Sequence, residues 1–247
     1  MFIFTLKEEN DIIAGQEDSV KKEQFDIKLI LKPILFIIFF IAITFISAGR
    51  INYWPGWVYN GLNIFFIILT YIILLDSKGL IKERLKPGKG MKRWDKIYYA
   101  TSTPIFFIMF IVSVLDAGRF GWGPQVPIGV IIFGVILYAI GQTIVLWAKR
   151  TNKFFSSVVR IQSDRNQEVC KDGPYRLVRH PGYVGGILFT IAIPFVLGSF
   201  LGLIPLPLAI LLLFIRTYLE DKTLQKELTG YTDYTKEVRY KLLPGIW

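Results

Sequence analysis

Residues 181–215 read PGYVGGILFTIAIPFVLGSFLGLIPLPLAILLLFI, thirty-five consecutive positions without a Lys, Arg, Asp or Glu. As one helix, rising about 1.5 Å per residue, this stretch would be roughly 52 Å long. Crossing a hydrocarbon core about 30 Å thick takes only roughly 20 residues. Its middle, LGSFLGLIPLP, holds Gly198, Gly202, Pro205 and Pro207, which interrupt a helix. The stretch is therefore expected to fold back on itself as a tight helical hairpin, with passes at about 183–200 and 203–219.

Four further blocks upstream also lack charge: 33–49, 51–75, 97–115 and 120–148. Each reaches or approaches the length of a membrane crossing. Hydrophobic residues make up 53% of the 247, above the roughly 45–50% of soluble domains. Five such blocks do not arise from soluble cores. The expected fold is an all-α integral membrane protein of about six transmembrane helices, the last two forming the hairpin.

The charges test this count independently. Of the 29 Lys and Arg, all but Arg50 and Arg119 fall before the first block, in 76–96, in 149–179, or from Arg216 onward. Six crossings place these four groups on one face, and a single long last pass would split them. Basic loops mark the cytoplasmic side, so both termini are expected there. The net charge of +10 is spread through loops between apolar blocks, not gathered on one folded face, which argues against a nucleic-acid partner. The partner it implies is the lipid bilayer. No ionisable side chain lies mid-pass, which weighs against ion-coupled transport. Asn60, Asn63 and Gln142 are read as hydrogen-bonding between packed helices. One His and one Cys, Cys170, offer no metal site and no internal disulfide.

The sole histidine lies in GPYRLVRHPGYVGG, 173–186, just before the hairpin. Pro181 suits the first helical position. The helix start then offers amides and partial positive charge to an anion, beside Arg176 and Arg179. Gly182, Gly185 and Gly186 are expected to leave room for a ligand. Beyond the hairpin, FIRTYLEDKTLQKELTGYTDY places Arg216 and Glu220 one helical turn apart, a default salt bridge. The hairpin brings the acidic pair Glu220-Asp221 to the same side as His180. Carboxylates there suit ribose hydroxyls or a cation.

GPYRLVRHPGY, the hairpin, R-x-x-x-E-D-x-x-L-x-x-E-L-x-G-Y-x-x-Y and the ending VRYKLLPGIW together resemble the isoprenylcysteine carboxyl methyltransferase family, as does TNKFFSSVVRIQ at 151–162. The likeness covers a methyltransferase motif region (147–247); ahead of it, hydropathy gives transmembrane helices one to four (29–146), and the mixed acidic and basic residues before them read as a cytosolic extension (1–28). It implies a cytosolic S-adenosylmethionine site, with Tyr175, Arg179, His180, Pro181 and Tyr183 along the cofactor and Glu220 and Asp221 closing its other side. Arg216, Glu220 and His180 are the implied catalytic candidates, Arg216 orienting an anionic acceptor. Asn152 and Gln162 are implied pocket residues. The family usually carries two glutamates where this chain has Glu220-Asp221. The implied acceptor is a lipophilic small molecule or lipidated substrate. A phospholipid N-methyltransferase is close in chemistry. Membrane reductases using NADPH carry a similar Arg-His-Pro-x-Tyr-x-Gly element, and a neutral-solute transporter or scaffold is the non-enzymatic alternative.

Overall fold

The computed structural model describes residues 28–74, residue 83 and residues 90–247. Of the expected extension 1–28, all but Lys28 lies outside the described residues. Seven α-helices and no strand occur among the described residues: α1 (Lys28–Ala48), α2 (Trp54–Ile73), α3 (Arg93–Val114), α4 (Ile128–Thr151), α5 (Pro181–Val196), α6 (Leu206–Glu227) and α7 (Tyr231–Glu237). A π-helical turn, Leu115–Phe120, extends α3 until Gly121 enters the left-handed region at φ 60°.

Among the described residues, five segments are long and apolar enough to cross a membrane: Leu31–Ala48, Trp54–Ile73, Arg93–Phe120, Ile128–Thr151 and Leu201–Glu227. The 16-residue α5 is shorter, about 24 Å at 1.5 Å per residue. The expected six crossings are thus five of full length and one short helix. The hairpin is present, with shifted ends. Its first helix stops at Val196, Gly198 turns at φ 75°, a 3-10 turn occupies Leu201–Leu203, and α6 begins after Pro205. α6 runs eight residues beyond the expected 219. Its polar turns meet partners on neighbouring elements, so the helix continues past the apolar stretch.

Backbone proximity sets how α5 is held. A Cβ on Gly185 would lie 2.3 Å from the Gly141 carbonyl oxygen, and one on Gly141 would lie 2.7 Å from the Gly185 carbonyl oxygen. Gly134, two turns earlier on α4, meets Phe195 and Val196 just as closely. Helices without side chains at their crossing approach until backbones touch, the usual solution in lipid. α4 and α5 are therefore antiparallel and tightly apposed. At the hairpin turn, Gly202 sits against the Ser113 hydroxyl of α3.

Outward faces stay apolar: Phe36, Ile46, Phe65, Ile72, Ile108, Ile132 and Leu211 are all exposed. That is the reverse of a soluble fold and fits contact with lipid. Exposed Trp54, Trp57 and Trp122 lie at the end of the bundle that carries Arg50 and Arg119, as interfacial aromatics do. Between helices, Asn60 donates to Thr44 (3.1 Å), while Tyr138 donates to Asn63 (3.0 Å) and accepts from Gln142 (3.3 Å). Asn60 thus joins α1 to α2 and Asn63 joins α2 to α4, as expected, whereas Gln142 bonds within α4 and only supports the Tyr138 hydroxyl that makes the link.

Candidate active site

The long connection from α4 to α5 forms the wall of the site. Asn152 ends α4, and its Oδ1 accepts the Phe154 N–H at 2.9 Å, starting the turn. Its Nδ2 donates to the Tyr175 hydroxyl at 3.3 Å. Gln162 is buried; its Nε2 donates to the Phe154 carbonyl (2.6 Å) and its Oε1 accepts from Arg165 (2.6 Å). Arg160 is buried as well and forms a forked pair with Glu83, at 2.9 and 2.8 Å, while also donating to Asp164. Arg160 thus stays charged in an enclosed place because two carboxylates match it. Both implied pocket residues, Asn152 and Gln162, line the cavity, although their polar atoms are engaged in holding the loop.

Arg179 and His180 end this connection. His180 occupies the cap position of α5 and Pro181 its first turn. The backbone amides of Arg179 and His180 donate to the carbonyls of Tyr240 and Lys241, at 2.9 and 3.0 Å. Thus the C-terminal VRYK stretch pairs with the Arg-His step. Arg179 also reaches the carbonyls of Val238 (2.9 Å) and Arg239 (2.7 Å) through Nη1.

Asp221, 1% exposed, is the centre of this arrangement. Arg179 donates to it through Nε (2.7 Å) and Nη2 (3.0 Å), Gln225 through Nε2 (2.7 Å) and Tyr231 through its hydroxyl (3.1 Å). His180 Nε2 lies 3.1 Å from the same Oδ1. A carboxylate only accepts, so this contact needs a proton on Nε2. Burial, then the nearby Asp221 and Glu220 carboxylates, push the Tyr231 phenol well above its ordinary range, so it stays a donor. Both oxygens of Asp221 are committed to protein donors, and the cavity wall carries Glu220 but not Asp221. The acidic pair therefore splits: one member ties the loop to α6, and the other faces the cavity.

Glu220 is partly exposed and accepts the Tyr183 hydroxyl. Among the described residues it enters no ion pair, and its Oε1 has no protein partner. Arg216, one turn earlier, does not pair with Glu220. It lies 3.0 Å from Asp95 of α3, donates to the Ser157 carbonyl (2.9 Å), and stands over the rings of Tyr98, Tyr99 and Tyr183 at 4.6–5.6 Å. Its Nε contact with Asp95 is ionic and poorly aligned for a hydrogen bond. Asp95 is wholly buried and also accepts the Val159 N–H at 2.7 Å. Position on the first turn of α3 could have drawn attention to Asp95, but nothing in the sequence links it to Arg216.

These elements enclose a cavity of about 480 Å³, within the usual range for small-molecule sites. Tyr175, Arg179, His180, Tyr183, Arg216 and Glu220 all line it. Its other end reaches Phe106, Phe189, Thr190, Ala209 and Leu213, on α3, α5 and α6. The three glycines have separate roles. Gly185 serves the α4 crossing, and Gly182 lies under the Phe155 ring (2.7 Å from a built Cβ). Gly186 faces the cavity, with nothing nearer than 4.0 Å. Arg176 is exposed and Arg179 is matched by Asp221, so the start of α5 carries less free positive charge than expected. Cys170 also lines the cavity; burial raises its thiol pKa, which keeps it protonated and unreactive. No group of three or more metal-ligating side chains occurs among the described residues.

Residues 130–229 match the family described as phospholipid methyltransferase. That span contains α4 from its third residue, α5, α6 and every cavity residue on them, but not Tyr231 or the C-terminal turn. Over 187 residues the chain is 23% identical to Protein-S-isoprenylcysteine O-methyltransferase of Schizosaccharomyces pombe, covering 75% of this chain and 69% of the yeast protein.

Proposed function

We propose that this chain, a membrane methyltransferase whose residues 130–229 are of the phospholipid methyltransferase kind, uses S-adenosylmethionine to methylate a lipophilic acceptor of the isoprenylcysteine carboxylate type. The supporting observation is the cavity itself. It is polar beside Glu220 and His180, then follows α6 to Ala209, an offset of eleven residues, or about 16 Å of helix. A cofactor head and a lipid tail need that combination. Neither comparison points toward a reductase or a transporter.

Glu220 is the carboxylate open to a ligand, and its Oε1 would accept ribose hydroxyls or face a sulfonium charge. Tyr183 holds Glu220 in place, while Tyr175, Arg179 and His180 would line the cofactor's other side; Pro181, buried in the first turn of α5 and absent from the cavity wall, would only set the direction of that helix start. Asp221 acts on that side through Arg179 and His180. Bound there, S-adenosylmethionine supplies an electrophilic methyl group on positively charged sulfur. Transfer forms a bond from the acceptor to the methyl carbon as the carbon–sulfur bond breaks, so the protein chiefly supplies alignment. An acceptor carboxylate needs no base; for a thiol or amine, His180 or Glu220 would take the proton. Arg216, where the polar end gives way to the apolar arm, would orient an anionic acceptor, with Asp95 and the tyrosines fixing its direction. The basic loops at this end of the bundle support a cytoplasmic site.

Calorimetric titration of the detergent-purified protein with S-adenosylmethionine tests the reading. Saturable binding is expected, weakened about tenfold or more in Glu220→Gln through loss of charge-assisted hydrogen bonds. Unchanged affinity in folded Glu220→Gln would remove Glu220 from the site. Binding of NADPH in place of S-adenosylmethionine would overturn the proposal.

A further inference from the structure

The C-terminal turn is built in a way that the methyl-transfer site does not use. The amides of Lys241, Leu242 and Leu243 all donate to the main-chain oxygen of Trp247, at 2.9–3.1 Å, and Gly245 reverses the chain at φ 84°. The closed loop buries Leu242 but turns two apolar side chains outward: Leu243 is 44% and Ile246 79% exposed. It lies against α6, with the Trp247 and Phe214 rings 5.4 Å apart.

On α6, exposed Leu211, Ile215 and Tyr218 form one stripe at spacings of three and four, and Lys222 continues it. The stripe therefore runs from a lipid-facing surface into a basic end. Lys222 and Lys241 both stand about 6 Å from the Tyr218 ring, and Lys241 lies 4.5 Å from that of Trp247. Arg239, two residues before Lys241, is also exposed. Among the described residues, none of these three cations enters an ion pair, whereas the acids of α7 are engaged, Asp233 with Lys236 and Glu237 with Lys171.

We propose that the turn at 239–247, with Lys222 and Tyr218, is a docking surface for the anionic headgroups of bilayer lipids. Two observations select this occupant over a protein partner. The exposed apolar side chains of the turn are anchored beside the lipid-facing stripe of α6, through Trp247 on Phe214 and Lys241 on Tyr218, and unpaired cations cluster where that stripe ends. Aromatic rings with Lys stems alongside occupy the headgroup level of a bilayer, and basic residues there attract phosphatidylserine-type or phosphatidylglycerol-type lipids. The same segment receives the Arg179 and His180 amides, so a headgroup held at the turn braces the loop beside the cavity. The surface stands whether or not the cavity takes S-adenosylmethionine.

The test uses the full chain, carrying Cys170→Ser and a fluorophore at Ile246→Cys, reconstituted in phosphatidylcholine–phosphatidylglycerol vesicles. Nitroxide-labelled phosphatidylglycerol is expected to quench the fluorophore more strongly than nitroxide-labelled phosphatidylcholine at equal content. Each of Lys222→Gln, Arg239→Gln and Lys241→Gln should reduce the lipid preference, by up to about fivefold per charge. Quenching by neither lipid would show that the turn stands in water and overturn the proposal. Equal quenching by both would overturn its anionic selectivity, as would an undiminished preference in the triple Gln variant.

Discussion

Asp221 and Glu220 are adjacent carboxylates with opposite surroundings. Asp221 is enclosed by Arg179, His180, Gln225 and Tyr231, and Glu220 opens to the cavity. Removing one partner of a buried pair leaves the other charge uncompensated, at a cost of roughly 3–5 kcal/mol. Asp221→Ala is accordingly expected to lower the thermal midpoint strongly, and Glu220→Gln to leave it nearly unchanged. Thermal unfolding of both variants in detergent checks this contrast. Asp221→Glu restores the pair of glutamates usual in the resembling family, yet it adds a methylene to a filled site. That substitution is expected to cost about 1–3 kcal/mol here, because Arg179 already meets the shorter side chain through both Nε and Nη2.

At the scale of elements, the α4–α5 crossing holds the start of α5, and with it His180 and Tyr183, at a set distance from the loop. Gly185→Ala would drive a methyl group to 2.3 Å from the Gly141 carbonyl oxygen. No flexible side chain is there to yield, so the helices must separate. The expected result is loss of folded protein, or a thermal midpoint lowered by several kcal/mol equivalent. Gly186→Ala meets nothing within 4.0 Å other than the Phe189 ring edge. It should fold normally while narrowing the cavity, raising KM for the acceptor more than it lowers kcat. A Gly186→Ala protein as unstable as Gly185→Ala would contradict the separate roles of these neighbours. Similar logic explains why α6 outruns its apolar stretch, since Arg216 and Asp221 are met by α3 and by the loop rather than by solvent.

For the whole molecule, the antiparallel order of α3 to α6 collects the first turn of α3, the 152–180 connection, the start of α5 and the end of α6 at one end. The turn containing Gly121 and the hairpin turn lie at the other, tied by Ser199 donating to Asp116 at 2.6 Å. Reporters inserted in 165–167 and fused after Trp247 are expected on the cytoplasmic side. A reporter at 123–125 is expected outside. A signal from Trp247 on the same side as 123–125 would break the hairpin and the composite site with it.

The hydropathy of each segment and the placement of basic residues were sufficient for the membrane class, the hairpin and the meeting of His180 and Glu220 at one end of the bundle. Transfer of a segment from water to lipid depends on that segment's own composition, so it is legible in one dimension. Pro181 at the helix start and Asn60 and Asn63 as interhelical links were legible for a similarly local reason, whereas Gln142 bonds to Tyr138 on its own helix. What the tertiary structure decided was pairing. Arg216 meets Asp95, 121 positions away, in place of its helical neighbour Glu220, and Arg160 meets Glu83 across 77 positions. Asp221 became the tie of the loop and Glu220 the open carboxylate, although the two are adjacent and chemically alike. A charge chooses its partner by distance and burial, and both exist only once the chain has folded.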